Sequence, residues 1–462
     1  MSPRHFPLLF SLIFVLTSAS SGIGQSLLSK RTASPLSGNS ALQSGPMIGY
    51  EDMFEVLIWV QTKGQGWVDL KYWDTEHSEL IYQCDGIVTQ NPAYIAKFIA
   101  NQVQPGKTYE YQVSIGGVAL DLPYPCTFKT QTLWQWRTDP PPFSFVSGSC
   151  AYVNETEYDR PGKPYGSNYQ IFTKIHEQHP DFMVWLGDNT YYREVDWNTL
   201  TGMVHRYTHT RSLPEMQPLL ASTAHYAIWD DHDFGPDNSD GTWVYKERAW
   251  EVFRDFWGNP SYGINGHKGC TTRFQYNDAD FFLLDNRYNR SPNRCKTCER
   301  TSLGKEQIEW LIGSLSNSRA PFKFVAIGGQ VLSSDDHEES AFHDFPAERE
   351  QIISRIEEEG IKGVIFLTGD KHFTELSAYQ NNSGNWMYDL TSSSLTAGSF
   401  SDAKEKTSNT LRVPGTIVTE NNFCVLRMSG PRTARELNIT SYNSQGTEMW
   451  TKTISALDYS IK

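Results

Sequence analysis

Long apolar runs are scarce in this 462-residue chain. Beyond residue 24 no stretch is apolar enough to cross a bilayer as a helix, so stable membrane insertion is not expected. Basic clusters are missing as well. The formal net charge is −13 with no extended Lys/Arg run, which argues against nucleic acid as a standing partner. Such a surface also repels large polyanions and is easier to reconcile with a small anionic substrate. There is no internal repeat. One Cys-x-x-Cys pair, Cys295 and Cys298, lacks the second pair that would make a structural zinc site a strong reading.

The one early apolar run, Phe6 to Thr17, follows Arg4 and His5 and leads into the small residues Ser18 to Gly24. It is too short for a membrane span and reads as a signal peptide over 1–24, so the mature protein is expected to be exported, periplasmic or extracellular. No cysteine follows it for lipid attachment. Export permits disulfides. Cys84 and Cys126 are candidates to bridge two strands, and one pair is expected among Cys270, Cys295 and Cys298. Cys424 reads as a buried thiol, and Cys150, left over at a strand end, suits a ligand role.

Residues 25–45 are rich in Ser, Gly, Ala and Leu without periodicity and read as a linker. Over 46–136, short alternating runs broken by turn residues predict a small β-sandwich domain. One of them, Pro105-Gly-Lys-Thr-Tyr109-Glu-Tyr111, resembles a strand of fibronectin type III domains. After Asp139-Pro-Pro-Pro142 the pattern changes to apolar strands alternating with amphipathic helices, an α/β arrangement over 141–458. Helices are predicted at 169–179, 246–257, 304–316 and 347–360, with strands returning near the end of the chain.

Four strands end in chemistry. They are Phe143-Ser-Phe-Val-Ser-Gly-Ser-Cys150, Asp181-Phe-Met-Val-Trp-Leu-Gly-Asp188, Ala227-Ile-Trp-Asp230-Asp231-His232 and Val364-Ile-Phe-Leu-Thr-Gly-Asp370-Lys-His372. An apolar run that stops at Gly-Asp delivers a carboxylate to the carboxyl edge of a parallel sheet. Tyr191 lies three residues after Asp188, so both can face one ion. A thiolate, phenolate and imidazole suit ferric iron, whereas Asp231 and Asp370 are hard oxygen ligands for calcium, magnesium or manganese. Asp188 is placed to bridge two ions, a recurrent design for phosphoester hydrolysis. His232 is suited to protonating a leaving group. Arg287, ending the run Phe281 to Leu284, is a candidate phosphate contact or else an ion-pair partner.

In this order the motifs resemble the alkaline phosphatase D (PhoD-like) family of metallophosphoesterases, over roughly 141–430. The resemblance implies a four-layer αββα metallophosphoesterase sandwich preceded by a small all-β domain of fibronectin type III or Ig-like type. It also implies ferric iron on Cys150, Asp188, Tyr191 and His372, and calcium, or else magnesium or manganese, on Asp188, Asp231 and Asp370. Gln330, in Gly328-Gly329-Gln330, matches the position of a further ligand for the second metal. After His232 this chain reads Asp233-Phe-Gly-Pro-Asp237-Asn238, where the family pattern has a Glu and a shorter Asn-rich continuation. The expected function is a secreted phosphatase or phosphodiesterase acting on small phosphoesters through a binuclear centre and a metal-bound hydroxide. The alternative is a non-catalytic cell-surface binding protein with a vestigial phosphatase fold.

Overall fold

The computed structural model describes residues 36–89, 93–336, 339–402 and 408–461. The expected signal peptide and all but the last ten residues of the expected linker lie outside the described residues.

Two large sheets face each other. Among the described residues the first has nine strands, in the order Glu448–Ser455, Glu436–Asn443, Asn422–Ser429, Phe143–Gly148, Phe182–Leu186, Ala224–Ile228, Leu42–Glu51, Val56–Thr62 and Ile95–Ala100. The second has six: Thr272–Tyr276, Ala279–Leu283, Phe322–Ile327, Val364–Thr368, Trp386–Thr391 and Glu375–Gln380. The central strands of each run parallel, so their carboxyl ends share an edge. These strands are apolar throughout because both faces are covered.

Between the sheets the side chains are mostly aromatic. Phe145 meets Phe281 and Phe324 edge-on at 5.2 and 5.0 Å, and Tyr226 stacks on Phe274 with centroids 3.7 Å apart. Helices Lys305–Asn317 and Pro346–Glu358 cover the outer face of the second sheet through Ile308, Leu311, Ile312, Leu315, Ile352 and Ile356. Helices Leu200–Arg211 and Lys246–Phe256 cover the first. This is the expected αββα sandwich.

The β-rich segment shares strands with the first large sheet. A five-stranded sheet built on Gly66–Asp74, Tyr82–Val88 and Thr108–Ile115 does form with the alternating burial read from the sequence. Its companion strands, Leu42–Glu51, Val56–Thr62 and Ile95–Ala100, belong to the nine-stranded sheet, where Ile48 pairs in parallel with Ala224. Residues 36–462 are one compact unit. Pairing the Ala224–Ile228 edge with Leu42–Glu51 satisfies backbone groups that would otherwise lie open. For the same reason 42–45 is strand, not linker, beginning with Leu42 opposite Thr62.

Among the cysteines only the Cys84–Cys126 bridge differs from expectation. Cys295 and Cys298 form a disulfide, while Cys84, Cys126, Cys150, Cys270 and Cys424 are free. Cys84 donates to the Ile99 carbonyl at 3.5 Å and forms no bridge to Cys126. No helix among the described residues is long and apolar enough to cross a membrane.

Candidate metal centre

Five parallel strands, three from one sheet and two from the other, bring their carboxyl ends to one point. Strand Phe143–Gly148 leads to Cys150, Phe182–Leu186 to Asp188, and Ala224–Ile228 to Asp230 and Asp231. Strand Phe322–Ile327 leads to Gln330, and Val364–Thr368 to Asp370 and His372. Cys150, Asp188, Asp370 and His372 all adopt left-handed backbone, with φ of 61°, 52°, 67° and 56°. Each such residue costs on the order of 1–3 kcal/mol, and the turn is what swings the side chain back over the sheet edge. The glycines beside them allow the strand ends to close. A Cβ on Gly187 would stand 2.6 Å from the Asp230 Cβ, and one on Gly328 would collide with the Asp230 carboxylate.

Two overlapping donor groups result. The ligand atoms of Cys150, Asp188 and His372 lie within 4.8 Å of one another, as do those of Asp230, Asp231 and Asp370. Asp188 also groups with Asp231 and His232, so it sits between the two. The Tyr191 hydroxyl joins the first group, 3.0 Å from Asp188 Oδ2 and 3.3 Å from His372 Nε2. The Cys150 Sγ is 3.6 Å from the same Asp188 oxygen. His372 Nδ1 lies 2.6 Å from the Gly398 carbonyl, a contact that requires Nδ1–H and leaves the Nε2 lone pair facing the group.

The electrostatics ask for cations. Burial pushes the Cys150 thiol up to about 12, with Asp370 adding to the effect. Burial, reinforced by Asp231 and Cys150, holds Asp188 far above the usual carboxylate range. Tyr191 is raised likewise by burial and Asp188. Burial lifts Asp370 to about 6 despite Lys371, and lowers His372, which disfavours its charged form. Burial by itself would raise Asp231 too, but His232 and Arg287 outweigh it and hold that carboxyl below its ordinary value. This crowd of acids in a water-poor site ionises together only if positive ions enter. Unpartnered buried acceptors point the same way: Asp230 Oδ2 and Asp231 Oδ1 in the second group, and Gln330 Oε1 beyond the end of strand Phe322–Ile327, have no hydrogen-bond donor. Buried acceptors are normally satisfied, and a cation among them would do so. The donor set therefore fits two metal ions, the first with sulfur, phenol and imidazole donors and the second with oxygen donors.

His232 is 22 % exposed, its ring 4.2 Å from that of Tyr191 and its Nε2 3.5 Å from Asp237 Oδ1. It stands at the open side of the group.

Of the two readings of Arg287, phosphate contact or ion-pair partner, the geometry favours the second. Its guanidinium is fully buried, paired with Asp230 and, at 2.8 Å, with Glu339, and it donates to the Ser239 carbonyl at 3.2 Å. It lies beneath the carboxylates, 3.9 Å from Asp231, and faces no solvent. Of the other sequence-predicted site residues, Cys150, Asp188, Tyr191, Asp231, His232, Asp370 and His372 come together here, and Gln330 lies two residues beyond Gly328, which packs on Asp230. Two histidines outside the site have ordinary partners: His205 meets Glu155 and His209 meets the Asn154 carbonyl. In Asp335-Asp336-His337, Asp335 is buried and accepts from the Ser408 amide, and His337 lies outside the described residues.

Sequence reasoning missed several supporting groups. Ser393 donates to the Cys150 sulfur at 3.2 Å and accepts from the His372 amide. Asp233 accepts from the amides of Asn189 and Asp230, fixing two of the ligand turns against each other. Tyr165 places its hydroxyl 3.1 Å from His372 Nδ1. The buried run Ser392-Ser393-Ser394 was the one visible signal, since hydroxyls at a strand end need polar partners; nothing around Tyr165 stood out.

A sandwich of this kind with mixed metal donors gathered at the strand ends defines the class: a metal-dependent phosphoesterase. Comparison with known proteins narrows it. Residues 145–441 match the family model of PhoD-like phosphatases, and the chain belongs to that family. Residues 39–132 match a second model, a domain of unknown function (DUF7800). Alkaline phosphatase D of Bacillus subtilis is 24% identical over 322 residues, 59% of this chain and 52% of that protein, so the match spans about half of the relative's length. The solved structure of PhoD superposes with a TM-score of 0.75 at 18% identity, covering 91% of this chain and 92% of that one. Purple acid phosphatase PPD1 from yellow lupin gives a TM-score of 0.63 at 12% identity, covering 89% and 74%. At these identities the two structures speak for the fold.

Proposed function

We propose that this protein is an exported hydrolase of small phosphomonoesters or phosphodiesters, working through two metal ions. In this reading ferric iron is held by Cys150, Asp188, Tyr191 and His372, and calcium, magnesium or manganese by Asp188, Asp231, Gln330 and Asp370. The observation that carries it is the convergence of raised acids and unpartnered buried acceptors on one sheet edge, in two groups that Asp188 links through Asp231. Bound there, such a pair of ions supplies an activated water and neutralises phosphoryl oxygens.

The chain's own residues do the rest. Asp188 fixes the spacing of the two groups, with its Oδ2 near Tyr191 and its Oδ1 accepting from the His232 amide at 3.3 Å. That amide contact ties the position of His232 to the centre. His232, partly open to solvent, holds a proton at Nε2 for the departing alkoxide, and Asp237 orients the ring. Arg287 favours the ionised forms of Asp230 and Asp231 and holds both in place from below; it is a positioning residue.

Hydrolysis of aryl phosphate monoesters and diesters tests the reading. Asp188→Asn is expected to lose at least about a hundredfold in kcat while the protein remains folded. Undiminished turnover in that variant would sink the proposal.

A further inference from the structure

Gln330 presents an asymmetry that its neighbours explain. A carboxamide can face a cation with its oxygen, which binds, or with its NH2, which repels. Here both hydrogens of Nε2 are engaged, one by Glu375 Oε1 at 2.9 Å and one by Thr391 Oγ1 at 2.8 Å, and Oε1 has no donor.

The sheet places the acceptors. Strands Val364–Thr368, Trp386–Thr391 and Glu375–Gln380 are neighbours, with Thr368 paired to Thr391 and Thr391 to Glu375. One row of side chains therefore crosses the sheet beneath Gln330. Its hydrogen bonds run in one direction. Asp389 Oδ1 accepts from Thr368 at 2.7 Å, so the single hydroxyl hydrogen of Thr368 is used. Thr368 must then accept from Thr391, 3.0 Å away, and Thr391 is left to accept from Gln330. Asp389 is itself anchored by the amides of Val331 and Leu332, each at 2.8 Å. At the other end Glu375 is fully buried, paired with Arg412 and receiving Asn409 Nδ2 at 2.8 Å. Turning the amide over would set its oxygen against the Glu375 carboxylate and break both bonds.

We propose that Glu375, with the Thr391–Thr368–Asp389 chain, is a positioning group that locks Gln330 with its oxygen toward the second cation. The inference rests on the two-ion reading above and deepens it. Glu375 meets neither ion nor substrate; it acts through the Gln330 amide alone.

The test is a swap. Calcium chloride is titrated calorimetrically into wild type, Glu375→Gln, Gln330→Glu and the double variant, each checked for folding by circular dichroism. Glu375→Gln is expected to weaken calcium at the second site by about 10–100-fold, the usual effect of removing a ligand's supporting partner. The double variant is expected to recover most of the loss, because a carboxylate at position 330 offers oxygen either way round and the new amide at position 375 can donate to it. A purely structural role for Glu375 predicts no such recovery, so a double variant as weak as Glu375→Gln overturns the proposal. Unchanged calcium affinity in Glu375→Gln also overturns it. Should Glu375→Gln not fold, Thr391→Val removes the other acceptor, and calcium affinity equal to wild type there overturns it as well. Wild type that binds no ion at a second site removes the two-ion reading and this inference together. Wild type with two ions and flat affinity across the variants removes the inference only.

Discussion

Arg287 distinguishes two ways of reading the floor of the site. If it contacted substrate, Arg287→Met would raise KM and leave stability alone. The structure instead gives a buried guanidinium joined to Asp230, Glu339 and the Ser239 carbonyl, with Asp231 3.9 Å away. Removing it strands at least two buried carboxylates. Breaking a buried ion pair by deleting one partner costs roughly 3–5 kcal/mol. Charge-assisted hydrogen bonds of about 1.5–3 kcal/mol each would sum to more, but such contributions are not additive, so the lower range is expected. With a urea dependence of about 3 kcal/mol per molar, the unfolding midpoint should fall by roughly 1–2 M at fixed calcium. Arg287→Lys, which keeps the charge but not the fork, should recover only part of this. An Arg287→Met variant with an unshifted midpoint and a roughly tenfold higher KM would refute the reasoning.

Two further outcomes follow from groups away from the centre. Burial raises Glu51 to about 8, against an ordinary value of 4.5. The folded state therefore keeps a proton that the unfolded chain has released. Its stabilising contribution is full below about pH 4.5 and is lost as pH rises through about 8, on the order of a few kcal/mol. Glu51→Gln should match wild type near pH 5 and exceed it near pH 9 in chemical denaturation; parallel pH profiles would contradict this. Thiol titration of denatured, unreduced, metal-free protein should find five reactive cysteines, since only Cys295 and Cys298 are joined, whereas three would restore the Cys84–Cys126 bridge.

The donor residues were legible because each is written locally, as an apolar run that ends in Gly-Asp, Gly-Ser-Cys or Asp-Asp-His. Strand geometry then carries them to one edge without further information. What connects distant segments was not legible. That Leu42–Glu51 would pair with Ala224–Ile228 depends on an open strand edge that exists only in the folded sheet. Arg287, following an apolar strand, read as a substrate contact or else an ion-pair partner; between these the choice falls to Glu339, 52 residues later, across the fold. Cys84 and Cys126 lay in plausible strands, but strand pairing does not bring them together as a bridge. Tyr165 and Ser393 reach the site from loops with no spacing rule to announce them.

The central claim is a mixed two-metal centre, and metal content tests it most directly. Protein purified without a histidine tag should carry about one iron and one calcium-type ion per chain by elemental analysis, with a visible tyrosinate-to-iron absorption band. That band should vanish in Tyr191→Phe. Zinc alone, or no metal at stoichiometric level in folded protein, would contradict the account.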